Sequence, residues 1–180
     1  MNKATKYPDK AEAIKILEKS GCNEKVVQHC EAVARFAVVI AKRLQERGVE
    51  VDADLVQAGA LLHDLGRSRS QKIDHAVQGA RLAKELGLDP RIVDIIERHI
   101  GAGIPADEAA KLGLPRKDYI PETIEEKVVC HADNMVNFKR HNIEVTIEKY
   151  ERKGQLNGAR MMRKLHKELS DLAGMDLNDL

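Results

Sequence analysis

The chain has 180 residues, a length that suits one compact domain, because single cores usually span about 100–200 residues. Its 30 lysines and arginines and 29 aspartates and glutamates leave a net charge of +1, with both signs interspersed. This balance excludes the strongly basic footprint of nonspecific nucleic-acid binding, although a local basic patch would still allow contact. The sequence shows no signal-type segment and no apolar stretch near the ~20 residues of a membrane span, so we expect a soluble, cytoplasmic protein without a membrane partner.

Composition and patterning predict an all-α fold. Helix-forming Ala, Leu, Glu, Lys and Arg dominate, aromatic residues make up only 3%, and no alternating strand pattern of useful length is present. Cys22, Cys30 and Cys130 are odd in number and lack zinc-site spacing, which favours reduced structural thiols.

Capping residues and glycines place the predicted helices along the chain. In chain order they are 9–20, 23–47, 52–66, 74–86, 89–99, a short helix near 107–112, a helix after Thr123 that carries Asp133, and finally 144–152 and 158–173. The expected N-caps are Asn23, Asp52, Asp74, Asp89 and a Thr123–Glu126 capping box. Gly66 is expected to end its helix in a left-handed cap. The last two helices are expected to cover the core, line a substrate pocket or form an oligomer contact.

Ligand-type side chains recur on the apolar faces of these helices. Residues three, four or seven positions apart share a helix face, so His99, which follows Ile92, Ile95 and Ile96, lies on an apolar one. The same spacing places three more on apolar faces: His29, His63 and Asp133. Asp64 shares a stripe with Ala60 and Leu61, whereas the surroundings of His75 are less clear.

Burial of so many ionisable groups requires an explanation, because an unpartnered buried group costs several kcal/mol. Each histidine alone fits a core residue satisfied by a backbone carbonyl. Four histidines with two aspartates fit a shared divalent cation better, since imidazole nitrogens and carboxylates are its usual ligands. The pattern therefore predicts a metal site.

The same residues resemble a known family. His29, then His63-Asp64 followed by Leu65-Gly66-Arg67, then Asp133 resembles the signature of the HD superfamily of metal-dependent phosphohydrolases, in its HDIG-like form. Segments 74–80 and 97–101 are similar to the extra histidine motifs of its dinuclear branch, which includes diadenosine tetraphosphate hydrolases and cyclic-dinucleotide phosphodiesterases. The GYP element of the latter is absent. The likeness covers about 23–141 and is strongest to small archaeal and bacterial HDIG-domain proteins. It implies that 1–180 form a single helical HD domain. The C-terminal helices of this domain, about 144–174, lie outside the motif core.

The resemblance also implies roles for individual residues. His29, His63, Asp64 and Asp133 would bind one metal, and Asp64 would bridge to a second metal held by His75 and His99. One or two divalent transition metals are expected, and the His/Asp donor set suits Fe, Mn, Co, Ni or Zn better than Ca. Asp64 would position the attacking water. Arg67 and Arg69 would bind phosphate oxygens, although a solvated loop cation describes Arg69 equally well. Arg98 and Lys139-Arg140 are weaker phosphate candidates, and His131 lies off the face of Asp133.

The expected function is a metal-dependent phosphohydrolase or phosphodiesterase that acts on a nucleotide-like phosphoester through a metal-activated water. Two alternatives stay open at this level. One is a metal-bound sensing or binding module with little turnover, in partnership with an RNA-processing protein, and the other is a di-iron oxygenase of the HD type. The expected partner is a small-molecule phosphoester; nucleic acid is disfavoured by the charge balance, and homo-oligomerisation is left open.

Overall fold

The computed structural model describes residues 7–137 and 139–180, which form nine α-helices and confirm the all-α prediction. Their bounds are α1 Lys10–Lys19, α2 Glu24–Glu46, α3 Ala53–Leu62, α4 His75–Glu85, α5 Pro90–Arg98, α6 Ala106–Lys111, α7 Ile124–Asn134, α8 Ile143–Arg152 and α9 Leu156–Ala173. Short 3-10 turns occupy Leu65–Ser68 and Leu177–Asp179. A small antiparallel hairpin, β1 Val136–Asn137 with β2 Lys139–Arg140, joins α7 to α8. No sequence pattern predicts this hairpin, because two-residue strands show no alternation.

Several predicted caps form as expected. The side chains of Asn23, Asp52 and Asp89 accept hydrogen bonds from backbone N–H groups in the first turns of α2, α3 and α5. Pro90 occupies the first turn of α5, where its missing N–H costs nothing. These caps fix the starts of three helices that reach the candidate site, α3 and α5 with their C-terminal ends and α2 near its N-terminal end.

Two other predicted caps form only in part. Asp74 makes no cap hydrogen bond to α4, because its carboxylate accepts from the Ser70 hydroxyl instead. Thr123 does cap α7, but Glu126 does not complete the capping box. Its carboxylate turns away to accept from the Glu122 N–H and to pair with Arg98.

The segment around Gly66 also differs from the prediction. Helix α3 ends at Leu62 rather than at Gly66, and Gly66 lies in the 3-10 turn without a positive φ. The reason for glycine is space. A Cβ at Gly66 would lie 1.9 Å from the carbonyl oxygen of His75 and 2.5 Å from the amide nitrogen of Gly79. Glycine at this point lets the turn after α3 pack directly on the backbone of α4.

The long helix α2 lies against both α3 and α7, and its apolar face, including Val33, Ala37 and Ile40, is fully buried in the main core. Helices α4 and α5 pack against each other, as do α8 and α9. All three cysteines are buried and unpaired. None of the helices in the described ranges is both long and apolar enough to span a membrane.

Candidate metal centre

Six side chains from five helical segments converge at one end of this packing. They are His29 on α2, His63 at the C-cap of α3, the adjacent Asp64, His75 at the start of α4, His99 at the C-cap of α5 and Asp133 on α7. The structure therefore brings together all six residues that the sequence singles out as metal ligands. Four of them are buried, with relative exposures of 0% for His63, 7% for Asp64, 4% for His75 and 2% for His99.

Three of the histidine rings are oriented by the same local contact. In His63, His75 and His99, Nδ1–H donates to the backbone carbonyl three residues earlier, over 2.7 Å in each case. A carbonyl oxygen only accepts, so the proton lies on Nδ1 and the lone pair lies on Nε2. For His63 and His99 the accepting carbonyl lies in the last helical turn, where intrahelical donors run out. Metal-binding histidines are commonly held by this type of bond.

The first group of ligand atoms surrounds Asp133. Its Oδ1 lies 3.0 Å from Nε2 of His29 and 3.4 Å from Nε2 of His63. Ligand atoms bound to one ion at ~2.0–2.2 Å lie roughly 3.0–3.5 Å from each other. Nε2 of His63 is buried and has no hydrogen-bond partner among the residues that the structure describes. A buried lone pair that faces a carboxylate is poorly satisfied by protein alone, and a cation satisfies it.

The second group surrounds Asp64. Its Oδ1 lies 3.1 Å from Nε2 of His75 and 3.6 Å from Nε2 of His99. These two Nε2 atoms are only 3.1 Å apart, so their lone pairs repel each other unless a positive charge lies between them. The other oxygen, Oδ2, lies 3.9 Å from Nε2 of His29 and 3.8 Å from Nε2 of His63. Asp64 thus presents one oxygen to each group of ligand atoms.

Both carboxyl groups stay ionised in this setting. Burial raises the pKa of Asp64, but the facing imidazoles, His63 first, outweigh burial and hold it well below its usual range. The pKa of Asp133 is lowered in the same way, with His63 and His29 outweighing burial. Desolvation, followed by the neighbouring histidines, lowers the pKa of His99 and favours its neutral ring. Ionised carboxylates that face imidazole nitrogens are the donor groups that metal binding requires.

The His63 ring lies beside groups that favour a positive charge on it. Complete burial lowers its pKa, but neighbouring Cys30, Asp133 and Asp64 raise it well above its usual range. The charge that attracts a proton to Nε2 attracts a metal cation to the same lone pair.

Arg67 connects the centre to a cavity of about 640 Å³. Its Nε donates to Oδ1 of Asp64 over 3.2 Å, and its Nη1 donates to the Gln71 carbonyl over 3.1 Å. These bonds hold the Asp64 carboxylate in place. Nη2 has no protein partner within 7–137 and 139–180, and the side chain lines the cavity, so it is free to contact a bound anion.

Other candidates lie elsewhere. The Arg69 guanidinium pairs with Glu85 on the surface, 2.7 Å from its carboxylate, and does not line the cavity. Arg98 pairs with Glu126. His131 is buried on the opposite side of α7, where its ring contacts His166.

Of the three roles expected for the C-terminal helices, α8 has that of lining the pocket, although its sequence identified none of the residues that do so. Four of its residues line the cavity: Val145, Thr146, Lys149 and Tyr150. Their spacing identifies one face of a helix. It does not reveal what that face contacts, because the contact depends on how the hairpin redirects the chain.

The geometry agrees with comparisons to known proteins. Residues 26–137 match the family model of the HD domain. The chain belongs to the HD-domain family. The solved HD domain of the L. monocytogenes phosphodiesterase PgpH, in complex with cyclic-di-AMP, superposes with a TM-score of 0.54 and 17% identity, covering 90% of this chain and 95% of that chain. At that identity the likeness shows the fold alone.

Several curated relatives have names that refer to RNA. A tRNA (cytidine(56)-2'-O)-methyltransferase of Picrophilus torridus is 46% identical over 180 residues, a match that covers 99% of this chain and 51% of that protein. Ribonuclease Y of Acidothermus cellulolyticus is 28% identical over 142 residues, covering 76% of this chain and 25% of the ribonuclease. The chain thus spans about half the length of the first relative and a smaller part of the second.

Proposed function

We propose that the protein is a metal-dependent phosphohydrolase that cleaves a nucleotide-like phosphoester. One observation carries this proposal: the buried, unpartnered Nε2 of His63 lies among two ionised carboxylates and three further imidazole rings. This arrangement is unfavourable for protein alone and suits divalent cations. A cavity lined by Arg67 opens directly from it.

The bridging geometry of Asp64 supports a dinuclear centre. His29, His63 and Asp133 would hold one ion with Oδ2 of Asp64, and His75 and His99 would hold the other with Oδ1. The nitrogen and oxygen donor set favours Fe, Mn, Co, Ni or Zn. Ions held here would supply a water of lowered pKa and would neutralise charge on the phosphoryl oxygens.

The chain's own residues supply orientation. Arg67 fixes Asp64 through Nε and lines the cavity, where its guanidinium would bind a non-bridging phosphate oxygen. In the net reaction the oxygen of water bonds to phosphorus, the bond from phosphorus to the leaving oxygen breaks, and the leaving oxygen takes up a proton.

The test is a screen of metal-loaded protein against mononucleotides, dinucleotides and short RNA, with release of phosphate or nucleoside as the readout. Asp64→Asn preserves the side-chain shape but removes the bridging charge, so we expect it to abolish turnover and lower metal content. Exposed Asp54, in the first turn of α3, supplies a matched control as Asp54→Asn. Binding without turnover would favour the sensing module, and oxygen uptake would favour the di-iron oxygenase.

A second candidate is the same hydrolysis with RNA as the substrate. The match to a protein named for tRNA covers nearly the whole chain, and the cavity carries basic side chains that the overall charge of +1 does not reveal. Both observations favour RNA over the initial expectation, which rested on net charge. We propose hydrolysis rather than methyl transfer because the cavity is built around metal-ligand side chains.

A further inference from the structure

The cavity is more basic than the protein as a whole. Besides Arg67, three cationic residues line it: Lys139, Arg140 and Lys149, which we call the basic rim. The acidic side chains that line the cavity in the described part of the chain are Asp64 and Asp133 alone, and both belong to the metal cluster. No carboxylate of the cavity wall is therefore left to neutralise the rim.

Two members of the rim are free to bind an anion. Lys139 and Lys149 are exposed, and neither ammonium group pairs with a carboxylate of the described residues. Arg140 is engaged, because its Nη2 donates to the Asn178 carbonyl over 3.2 Å and its guanidinium lies 5.4 Å from the centre of the Phe36 ring. Lys139 and Lys149 are thus the available cations.

Helix α8 is anchored so that Lys149 keeps its place relative to the metal ligands. The Thr146 hydroxyl donates to the Asn134 carbonyl over 2.7 Å, one residue after Asp133 on α7. One helical turn further along, Tyr150 packs beside Gly101, where an added Cβ would lie 3.1 Å from its hydroxyl. Gly101 has a φ of 60°, which also favours glycine. The face that carries Lys149 is therefore held from two sides.

Both free lysines lie outside the segment that defines the family. The family model ends at residue 137, whereas Lys139 follows in β2 and Lys149 lies on α8. Metal ligands come from the matched segment, and the basic rim comes from the chain beyond it. The cavity thus combines the metal ligands of the matched segment with lysines from outside it.

We propose that Lys139 and Lys149 form a subsite for a second phosphate group, so that the substrate carries another phosphate beside the one that is cleaved. The inference rests on the proposed function, whose centre would bind the scissile phosphate. A cavity of about 640 Å³ is within the ~300–1,000 Å³ of small-molecule sites. Charge-assisted contacts to phosphate give the selectivity.

The experiment compares two probes, the dinucleotide UpU and its 5′-phosphorylated form pUpU, with Mn²⁺-loaded full-length protein. Cleavage of the internal phosphodiester is followed by chromatography. We expect kcat/KM for pUpU to exceed that for UpU by about tenfold, the ratio that lysine contacts to one phosphate supply. In the Lys139→Ala/Lys149→Ala variant this ratio should fall to about two or less, because the added phosphate loses its partners.

The matched control is Lys111→Ala/Lys153→Ala, which removes the same charge from two exposed lysines outside the cavity and should retain the wild-type ratio. A wild-type ratio near one, or an unchanged ratio in the Lys139/Lys149 variant, overturns the subsite while the hydrolase stands. If neither probe is cleaved, calorimetry decides. If pUpU binds more tightly than UpU and the double variant loses this difference, the subsite is supported and the proposed hydrolase activity is not. Equal binding of both probes overturns the subsite.

Discussion

Replacement of Gly66 by alanine tests how closely the turn after α3 packs on α4. The new Cβ would lie 1.9 Å from the His75 carbonyl oxygen, whereas carbon–oxygen contacts are ordinarily about 3.3–3.6 Å, so the two backbones must separate by roughly 1.4 Å. Neither partner is a flexible side chain. We expect a loss of at least about 3 kcal/mol in the free energy of unfolding, at the upper end for overpacking. For a chain of this size that lowers Tm by roughly 6–12 °C.

Gly87→Ala is the matched control. An added Cβ there meets nothing within 4 Å, and only the φ of 70° opposes alanine. Its cost of about 1 kcal/mol corresponds to a Tm decrease of roughly 2–4 °C. Calorimetry measures both variants, and elemental analysis supplies a second readout, because a displaced α4 moves His75 away from Asp64. A Gly66→Ala decrease no larger than that of Gly87→Ala, with unchanged metal content, would refute the argument.

Further predictions concern the metals and their support. His99→Ala should reduce bound metal from about two equivalents to about one by elemental analysis, because the second ion loses an imidazole; two retained equivalents would show that His99 is not a ligand of the second ion. Arg67→Ala should lower kcat/KM by a factor that corresponds to ~2–4 kcal/mol. Because Arg67 also orients Asp64, metal titration of this variant should show an affinity reduced by about tenfold. Arg67→Lys should restore neither kcat/KM nor metal affinity fully. Metal removal by a chelator should lower Tm by roughly 5–10 °C, since metal present at about 100 times its Kd stabilises the folded protein by ~2.7 kcal/mol. Thr146→Val should cost about 1 kcal/mol in chemical denaturation by removing its bond to Asn134; an unchanged midpoint would contradict that.

Helix positions were accessible from sequence because they depend on local chemistry. Asn23, Asp52 and Asp89 act as N-caps through their own side chains, within three residues of the groups that they satisfy. Gly66 was misinterpreted for the opposite reason. Its requirement comes from the backbone of α4, which approaches only in the folded chain.

The candidate site divides in the same way. Helical periodicity shows which histidines face inward, but only the family resemblance assigned His75 and the two groups of ligands. The 2.7 Å bonds that fix the rings of His63 and His99 involve carbonyls three residues away, and no sequence pattern reports them. The contribution of Lys149 depends on the hairpin that turns α8 toward the cavity, a tertiary feature without a local signal. Single-domain organisation over 1–180 stays a prediction from length and resemblance.

The most direct test of the metal centre is elemental analysis of protein purified without a metal-chelating tag and then reconstituted separately with Mn, Fe, Co, Ni and Zn. The arrangement of four imidazoles and two carboxylates predicts about two equivalents of at least one metal, falling below about half an equivalent in Asp64→Ala because the shared ligand is lost. Less than about a tenth of an equivalent of every metal in the wild-type protein would contradict the account.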